Sequence, residues 1–388
     1  MPYSIAPENK KRKKKPKKSF RQLTKPLKNI YPNISPLQAR GDRPLQMTLE
    51  DQLNALIYFH LEEHSSGRHL LQALEEDDFV NKEIAPNAGI KKSSFFEAIN
   101  TRGLEQFAQI FQALYQKATT VLPPEHQELG NLVSIDGSLV DAVLSMQWAD
   151  YRDGSKKAKV HLGFDLNHSI PSRIFLTDGK ADERPLACKI MAPGQTAVLD
   201  RYYQCHKNFD LWQEEKKYFV CRIKASTTKK VLRALETKPG SVIFYDALCL
   251  LGTPGVNQTE KEVRVIAYRV GPKTYWIATN RYDLTAEQIA TIYKLRWEIE
   301  VFFGWWKRHL KVYHLIARSA YGLMVQILAG LITYLLLAIY CQEQFGEKVS
   351  IKRVRQLRIK IRNEALSADN LELEPMPNMN RHSIAAKT

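Results

Sequence analysis

Two aspartates stand where short β-rich runs end, and each is placed to present a carboxylate at a sheet edge. Asp136 follows LVSI and precedes Gly137; Asp200 closes TAVLD and precedes Arg201. Hard divalent cations such as Mg²⁺ favour a few carboxylates with positions left open for water and phosphate. Two such ions gripping a phosphodiester activate the attacking oxygen and stabilise the leaving one. Taken singly, an aspartate after a strand more often just opens a turn. Asp246, in VIFYDAL, is a third residue of this type and competes for the role.

A helical stretch supplies the third carboxylate. In TIYKLRWEIEVFFGWWKRHL (291–310), Tyr293, Arg296, Glu300 and Lys307 recur at helical spacing. At about 100° per residue they fall within a stripe about 60° wide. Ile292, Leu295, Ile299, Phe302, Phe303 and Trp306 form the adjoining apolar face, suited to packing on a sheet. Glu298 points away from the stripe, so Glu300 is the preferred ligand. The plainer account is an amphipathic helix in which Arg296 and Glu300 form an i,i+4 pair. Asp178 and Asp182, flanking the turn TDGKADERP, could line the same edge. Lys157, Lys159 and His161 could touch an anionic partner, although a solvated strand face explains them more simply.

The elements needed to position these groups can be read around them. Residues 48–118 are helical in pattern, starting from a Thr48/Asp51 N-cap signal. A turn at 85–89 before KKSSFFEAIN, with Ser93 or Ser94 as N-cap, is compatible with a helix-turn-helix reader or with a plain bundle. After Pro123-Pro124 come the strands LVSIDGSLV, KAKVHLGFDL and SRIFLTDG, then RPLACKIM as helix, TAVLDRYY as strand, NFDLWQEEKK as helix and YFVCRIKA as strand. Three meandering strands followed by alternating helix and strand make a mixed α/β layout. This is the order of an RNase H-like core, in which the strands bearing Asp136 and Asp200 are neighbours. SVIFYDALCLL, VRVIAYRV and TYWIAT read as a β-rich insertion, and a long helix starts near Thr285. The expected division is a basic disordered tail (1–44), a small helical N-terminal domain (45–122), an α/β core (128–225 and 285–345) split by the insertion (226–284), and a basic helix with a C-terminal tail (346–388).

Charge narrows the partner. The chain of 388 residues carries a net charge of +16, a surplus that nucleic acid is the usual partner to absorb. KKRKKKPKK at 10–18 is dense enough in like charge to resist compaction, and IKRVRQLRIKIR is a second basic stretch. Five scattered cysteines without a Cys-x-x-Cys pair argue against a disulfide framework or a structural zinc site, and a reducing cytoplasm fits. The N-terminus lacks the apolar core of a secretory signal. Residues 322–341 are uncharged and long enough to span a bilayer; a helix buried on all sides is the preferred reading, with no membrane. Phosphate-loop, Gly-x-Ser-x-Gly and His-Glu-x-x-His motifs are absent from the sequence.

The spacing Tyr293-x2-Arg296-x3-Glu300-x6-Lys307 resembles the signature of a large branch of insertion-sequence DDE transposases. Asp136 in SIDGS and Asp200 in LDRYY resemble that group's first and second acidic positions, and the match in order covers roughly residues 130–320. The resemblance implies an RNase H-like catalytic domain with a β-strand insertion before the glutamate. It implies Asp136, Asp200 and Glu300 holding two Mg²⁺ ions, with Mn²⁺ as a substitute. Arg296 and Lys307 are then expected to contact DNA near the cleaved end, Tyr293 a terminal phosphate, and Trp276 a flipped base. Water would cut the element end, and the freed 3′-hydroxyl would attack first the opposite strand, making a hairpin, and then target DNA. The implied partners are double-stranded DNA, both terminal inverted repeats and target, and a second copy in a synaptic homodimer. The implied location is the bacterial cytoplasm, at the nucleoid. A structure-specific nuclease of the same fold and a non-catalytic DNA-binding protein are the competing readings.

Overall fold

The computed structural model describes residues 18–38, 45, 47–77, 80–81, 84, 89–152 and 154–369. The lysine run at 10–17 and most of the expected turn at 85–89 lie outside the described residues. Among the described residues, ten strands form one sheet: β1 (Leu132–Asp141), β2 (Asp150–Arg152), β3 (Ser155–Asp165), β4 (Ile170–Asp178), β5 (Thr196–Leu199), β6 (Tyr218–Arg222), β7 (Lys229–Ala234), β8 (Ile243–Leu251), β9 (Val263–Val270) and β10 (Lys273–Thr279). Their order is β2-β3-β1-β5-β6-β10-β9-β8-β7, with β4 also paired to β3. β3 is antiparallel to both β1 and β4, whereas β1, β5 and β6 run parallel. The strands expected from the sequence are all present. TAVLDRYY, however, stops being a strand at Leu199, because the Asp200 carboxylate caps a short 3-10 turn over Arg201–Tyr203. The insertion is no separate sheet: β10 pairs with β6, so β7–β10 prolong the main one.

Parallel strands need cover on both faces, and residue parity in β1 and β5 assigns the two sides. Val133, Ile135, Ala197 and Leu199 point into a core with Phe209, Trp212 and Phe219. That side is covered by α6 (Arg184–Ile190) and α7 (His206–Glu214). Val198 points the other way, into the large core shared with α8 (Ala286–Leu295), α9 (Trp297–His309) and α10 (Ala320–Phe345). The long helix expected from Thr285 is thus two helices. At Arg296 the backbone N–H bonds to Tyr293 three residues back, at 3.2 Å, a tightened turn that interrupts the α-pattern while keeping its direction.

α10 is long and apolar enough to cross a membrane, yet 89% of its most apolar window is buried within the protein. Its neighbours explain this. It packs against α2 (Leu49–Leu61), α4 (Lys92–Thr101) and α5 (Leu104–Val121), while α3 (Gly67–Glu76) packs on α2 and α4. Leu53, Leu56, Phe59, Phe107, Ile110 and Leu114 join the residues of α10 in one continuous core. The expected small helical domain therefore does not close on itself; a helix apolar all round must be enclosed, and these helices enclose it.

The expected disordered tail also fails over residues 19–34. α1 (Ser19–Leu23) and two 3-10 turns bury Phe20, Leu23 and Leu27. Ser19 Oγ donates to Glu364 Oε1 at 2.5 Å, tying α1 to α11 (Ile351–Asp369). Phe20, Leu23, Leu27 and Ile30 recur at helical spacing, a narrow apolar face hidden in sequence by lysines and prolines. α4 starts after Lys91, so Ser93 and Ser94 lie in its first turn and neither caps it.

The Thr48 signal is realised as a capping box. Thr48 Oγ1 accepts from the Asp51 N–H at 3.1 Å, and Asp51 Oδ2 accepts from the Thr48 N–H at 2.9 Å. Thr48→Ala is expected to lower unfolding free energy by about 1 kcal/mol, read from denaturant melts.

Candidate active site

The parallel register decides where the two aspartates sit. Leu132, Val133 and Ser134 lie beside Thr196, Ala197 and Val198. Carried two residues further, the register sets Asp136 level with Asp200. Side chains alternate along strands, so Asp136 shares the side of Ser134, whose Oγ lies 3.5 Å from the Arg296 carbonyl. Asp136 therefore faces the junction of α8 and α9, and Asp200, one residue past the end of β5, lies close enough for its charge to act on Asp136.

Asp136 is half-buried, and its Oδ1 accepts from the Gly137 N–H at 2.8 Å. Burial pushes its carboxyl up to about 7. The Gly137 N–H and the Arg296 guanidinium pull the other way, while negative charge on Asp200 and Glu183 adds to the rise. Two carboxylates side by side in a half-buried setting, with all-oxygen donors, suit a hard divalent cation, which would relieve their repulsion.

Glu300 is placed differently. Its Oε1 receives Arg296 Nη2 at 2.6 Å, the i,i+4 pair open from the sequence. Among the described residues, no three acidic, histidine or cysteine side chains gather closely enough to hold one ion. The structure thus brings Asp136, Asp200 and Arg296 together, with Glu300 attached through Arg296. Glu298 turns to Ser169, at 3.3 Å, and its carboxyl is raised by burial.

The rest of the stripe divides between β1, where Lys307 lies, and β10, where Tyr293 lies. Lys307 Nζ donates to the Leu139 carbonyl, and burial lowers its pKa. Tyr293 is buried, its ring 6.0 Å from that of Tyr275 and 6.0 Å from the Arg296 guanidinium carbon. Trp276 on β10 packs on the other face of the sheet, against the core under α6 and α7, and so is not brought to the stripe; Lys229 Nζ lies 4.3 Å from its ring centre and Tyr245 at its side. Beside Asp200 opens a cleft of about 1100 Å³ whose charged lining is Arg184, Arg201, Lys207 and Lys224 with Asp200, Asp210 and Glu260.

The competing residues have other occupations. Asp246 is buried and binds Arg264 through both oxygens, at 2.9 and 2.7 Å. Asp182 pairs with Arg184 and Asp178 accepts from the Lys180 N–H. Lys157 pairs with Asp141 at 2.8 Å. A solvated strand face does not describe Lys159 and His161. His161 is fully buried with Nε2 2.8 Å from Thr177 Oγ1, and Lys159 pairs with Glu183 at 3.0 Å. α6 covers this face, which sequence alternation alone did not reveal.

Glu183 and Tyr203 escaped the sequence reading. Gly137 carried the signal for them, since glycine inside a strand often marks a close approach. A Cβ built on Gly137 would stand 2.5 Å from Glu183 Oε2.

Residues 128–336 match the family model described as "Transposase DDE domain". The chain belongs to the DDE transposase family. It is 30% identical over 217 residues to a probable transposase for insertion sequence element IS5377 of Geobacillus stearothermophilus, covering 55% of this chain and 57% of that one. It is 29% identical over 201 residues to a protein of Sinorhizobium fredii named as transposase y4zB, covering 50% and 56%. The chain thus spans little more than half the length of these two relatives. Among solved structures, a piggyBac transposase synaptic complex with hairpin DNA aligns over 94% of this chain and 80% of that one, at 12% identity and a TM-score of 0.43. That fit is too loose for comparing residues.

Proposed function

We propose that this chain is a cut-and-paste transposase of the Tyr-Arg-Glu-Lys branch, built on an RNase H-like core, that cleaves its element's DNA ends and joins them to target DNA. The observation that supports this reading is the β1–β5 register, which carried two residues further sets Asp136 level with Asp200, with the charge of one acting on the other. The order β4-β3-β1-β5-β6 supports the RNase H-like assignment. Asp136, Asp200 and Glu300 would hold two divalent cations, Mg²⁺ or Mn²⁺, which activate an attacking oxygen and stabilise a leaving one on phosphate.

The chain's own groups bind and orient the DNA. Arg296 suits bidentate contact with a phosphate, and such a phosphate competes with Glu300 for the guanidinium, freeing that carboxylate to turn toward the aspartates. Lys307 and Tyr293 extend the DNA contact along the same line. The cations of the cleft beside Asp200 take phosphates of one strand, and Trp276, on the other face of the sheet, stacks on a base flipped toward that face at a hairpin end once Lys229 moves aside. Two copies pair the two element ends, and the protein works in the bacterial cytoplasm at the nucleoid.

The test uses linear DNA bearing the sequences that flank the gene, with Mg²⁺. Cut ends followed by joined product are expected. Cuts without joining indicate a nuclease of the same fold, and binding without cutting indicates a non-catalytic protein. Glu300→Gln is expected to slow cleavage about 10²-fold or more, roughly 3 kcal/mol of barrier. Glu298→Gln is expected to leave it near wild type; the reverse ranking would remove Glu300 from the site.

A further inference from the structure

Glu183 stands on the opposite side of the sheet from the Asp136 side chain, directly behind it. Its carboxylate fills the space that a side chain at position 137 would need. Oε2 accepts from the Tyr203 hydroxyl at 2.9 Å, and Oε1 pairs with Lys159 Nζ at 3.0 Å. Lys159 also donates to the Ala181 carbonyl at 3.0 Å, which fixes the chain entering α6. Tyr203 is 1% exposed and closes the short turn capped by Asp200. One carboxylate thus joins β3, the start of α6 and the turn after Asp200, while pressing on the backbone next to Asp136.

Nothing in the proposed chemistry uses these contacts, and a half-buried charge held by a lysine and a tyrosine needs a reason. The two stretches it touches, β1 at Gly137 and the turn after β5, are the ones whose carboxylates must share an ion. Partners behind a ligand commonly set metal affinity by fixing the ligand's orientation.

We propose that Glu183 is a positioning residue, held by Lys159 and Tyr203, that sets the spacing of Asp136 and Asp200 from behind the sheet and so tunes divalent-cation affinity. This rests on the reading of the two aspartates as metal ligands.

The test is binding of Mn²⁺ alone to the full chain without DNA, followed by the paramagnetic signal of the free ion. Asp136→Asn is expected to abolish binding. Glu183→Ala is expected to weaken it roughly 10- to 100-fold while still melting cooperatively. Glu183→Gln should remain much closer to wild type, because its amide oxygen still accepts a hydrogen bond. Wild-type affinity in a folded Glu183→Ala overturns the proposal. So does a loss in Glu183→Gln as complete as in Asp136→Asn, which would make Glu183 a ligand. If Glu183→Ala does not fold, Tyr203→Phe carries the test: weaker binding is expected, and unchanged binding overturns the role. Unchanged binding in Asp136→Asn would instead remove the metal reading itself.

Discussion

Asp136→Asn is expected to stabilise the metal-free protein at pH 8 while reducing DNA processing by on the order of 10⁴-fold, about 5 kcal/mol of barrier. The two effects share one cause. The Asp136 carboxyl is raised from 3.8 to about 7, mainly by burial, so the fold favours its neutral form. A raised carboxyl contributes stability that is complete below its unfolded value, near 3.8, and lost as pH rises through about 7. At about 1.4 kcal/mol per pH unit, the loss is about 4 kcal/mol by pH 8. Asparagine is neutral throughout and keeps an oxygen to accept from the Gly137 N–H. The variant should therefore melt higher than wild type at pH 8 and close to it at pH 4. Added Mg²⁺ should raise the melting temperature of the wild type and leave the variant unmoved. A variant less stable than wild type at both pH values would contradict the strained-carboxylate picture.

Much of this site was legible because its carriers are local. Asp200 ends a short β-rich run bounded by turn residues, whereas β1 runs on past Asp136 to Asp141, and the register of the two parallel neighbours then sets the aspartates level. The apolar positions of 292–306 likewise follow from helical spacing; five are buried and Leu295 is half-buried. The Arg296–Glu300 pair was also visible, as the plainer account of the same stripe, and it is the contact the structure contains. What stayed hidden depends on distant covering elements. Glu183 meets Gly137 only because α6 folds back across β1 and β3, and nothing in DERP records that. Phe20, Leu23 and Leu27 gain meaning only beside α10 and α11. α10 reads as a buried helix in preference to a membrane span, but that α2, α4 and α5 are what bury it is not written in its own residues.

Asp246 is the instructive rival to Asp200, since in sequence both are aspartates on apolar strands. The difference lies in what faces them. Asp200 sits at a strand end beside an open cleft. Asp246 is paired on neighbouring strands with Arg264, whose Nη1 also donates to the Leu284 carbonyl at 2.6 Å, just before α8. Removing one member of a buried ion pair leaves the other charged and uncompensated, at a cost of about 3–5 kcal/mol. Asp246→Ala is expected to lose that much in denaturant unfolding. Replacing both partners with apolar residues should recover most of it, because no charge is then stranded. At temperatures where Asp246→Ala is still folded, its Mn²⁺ binding should match wild type, the opposite of Asp136→Asn. A loss below about 1 kcal/mol, the range of an exposed pair, would mean that Asp246 is not committed to Arg264 and would reopen its claim on the metal site.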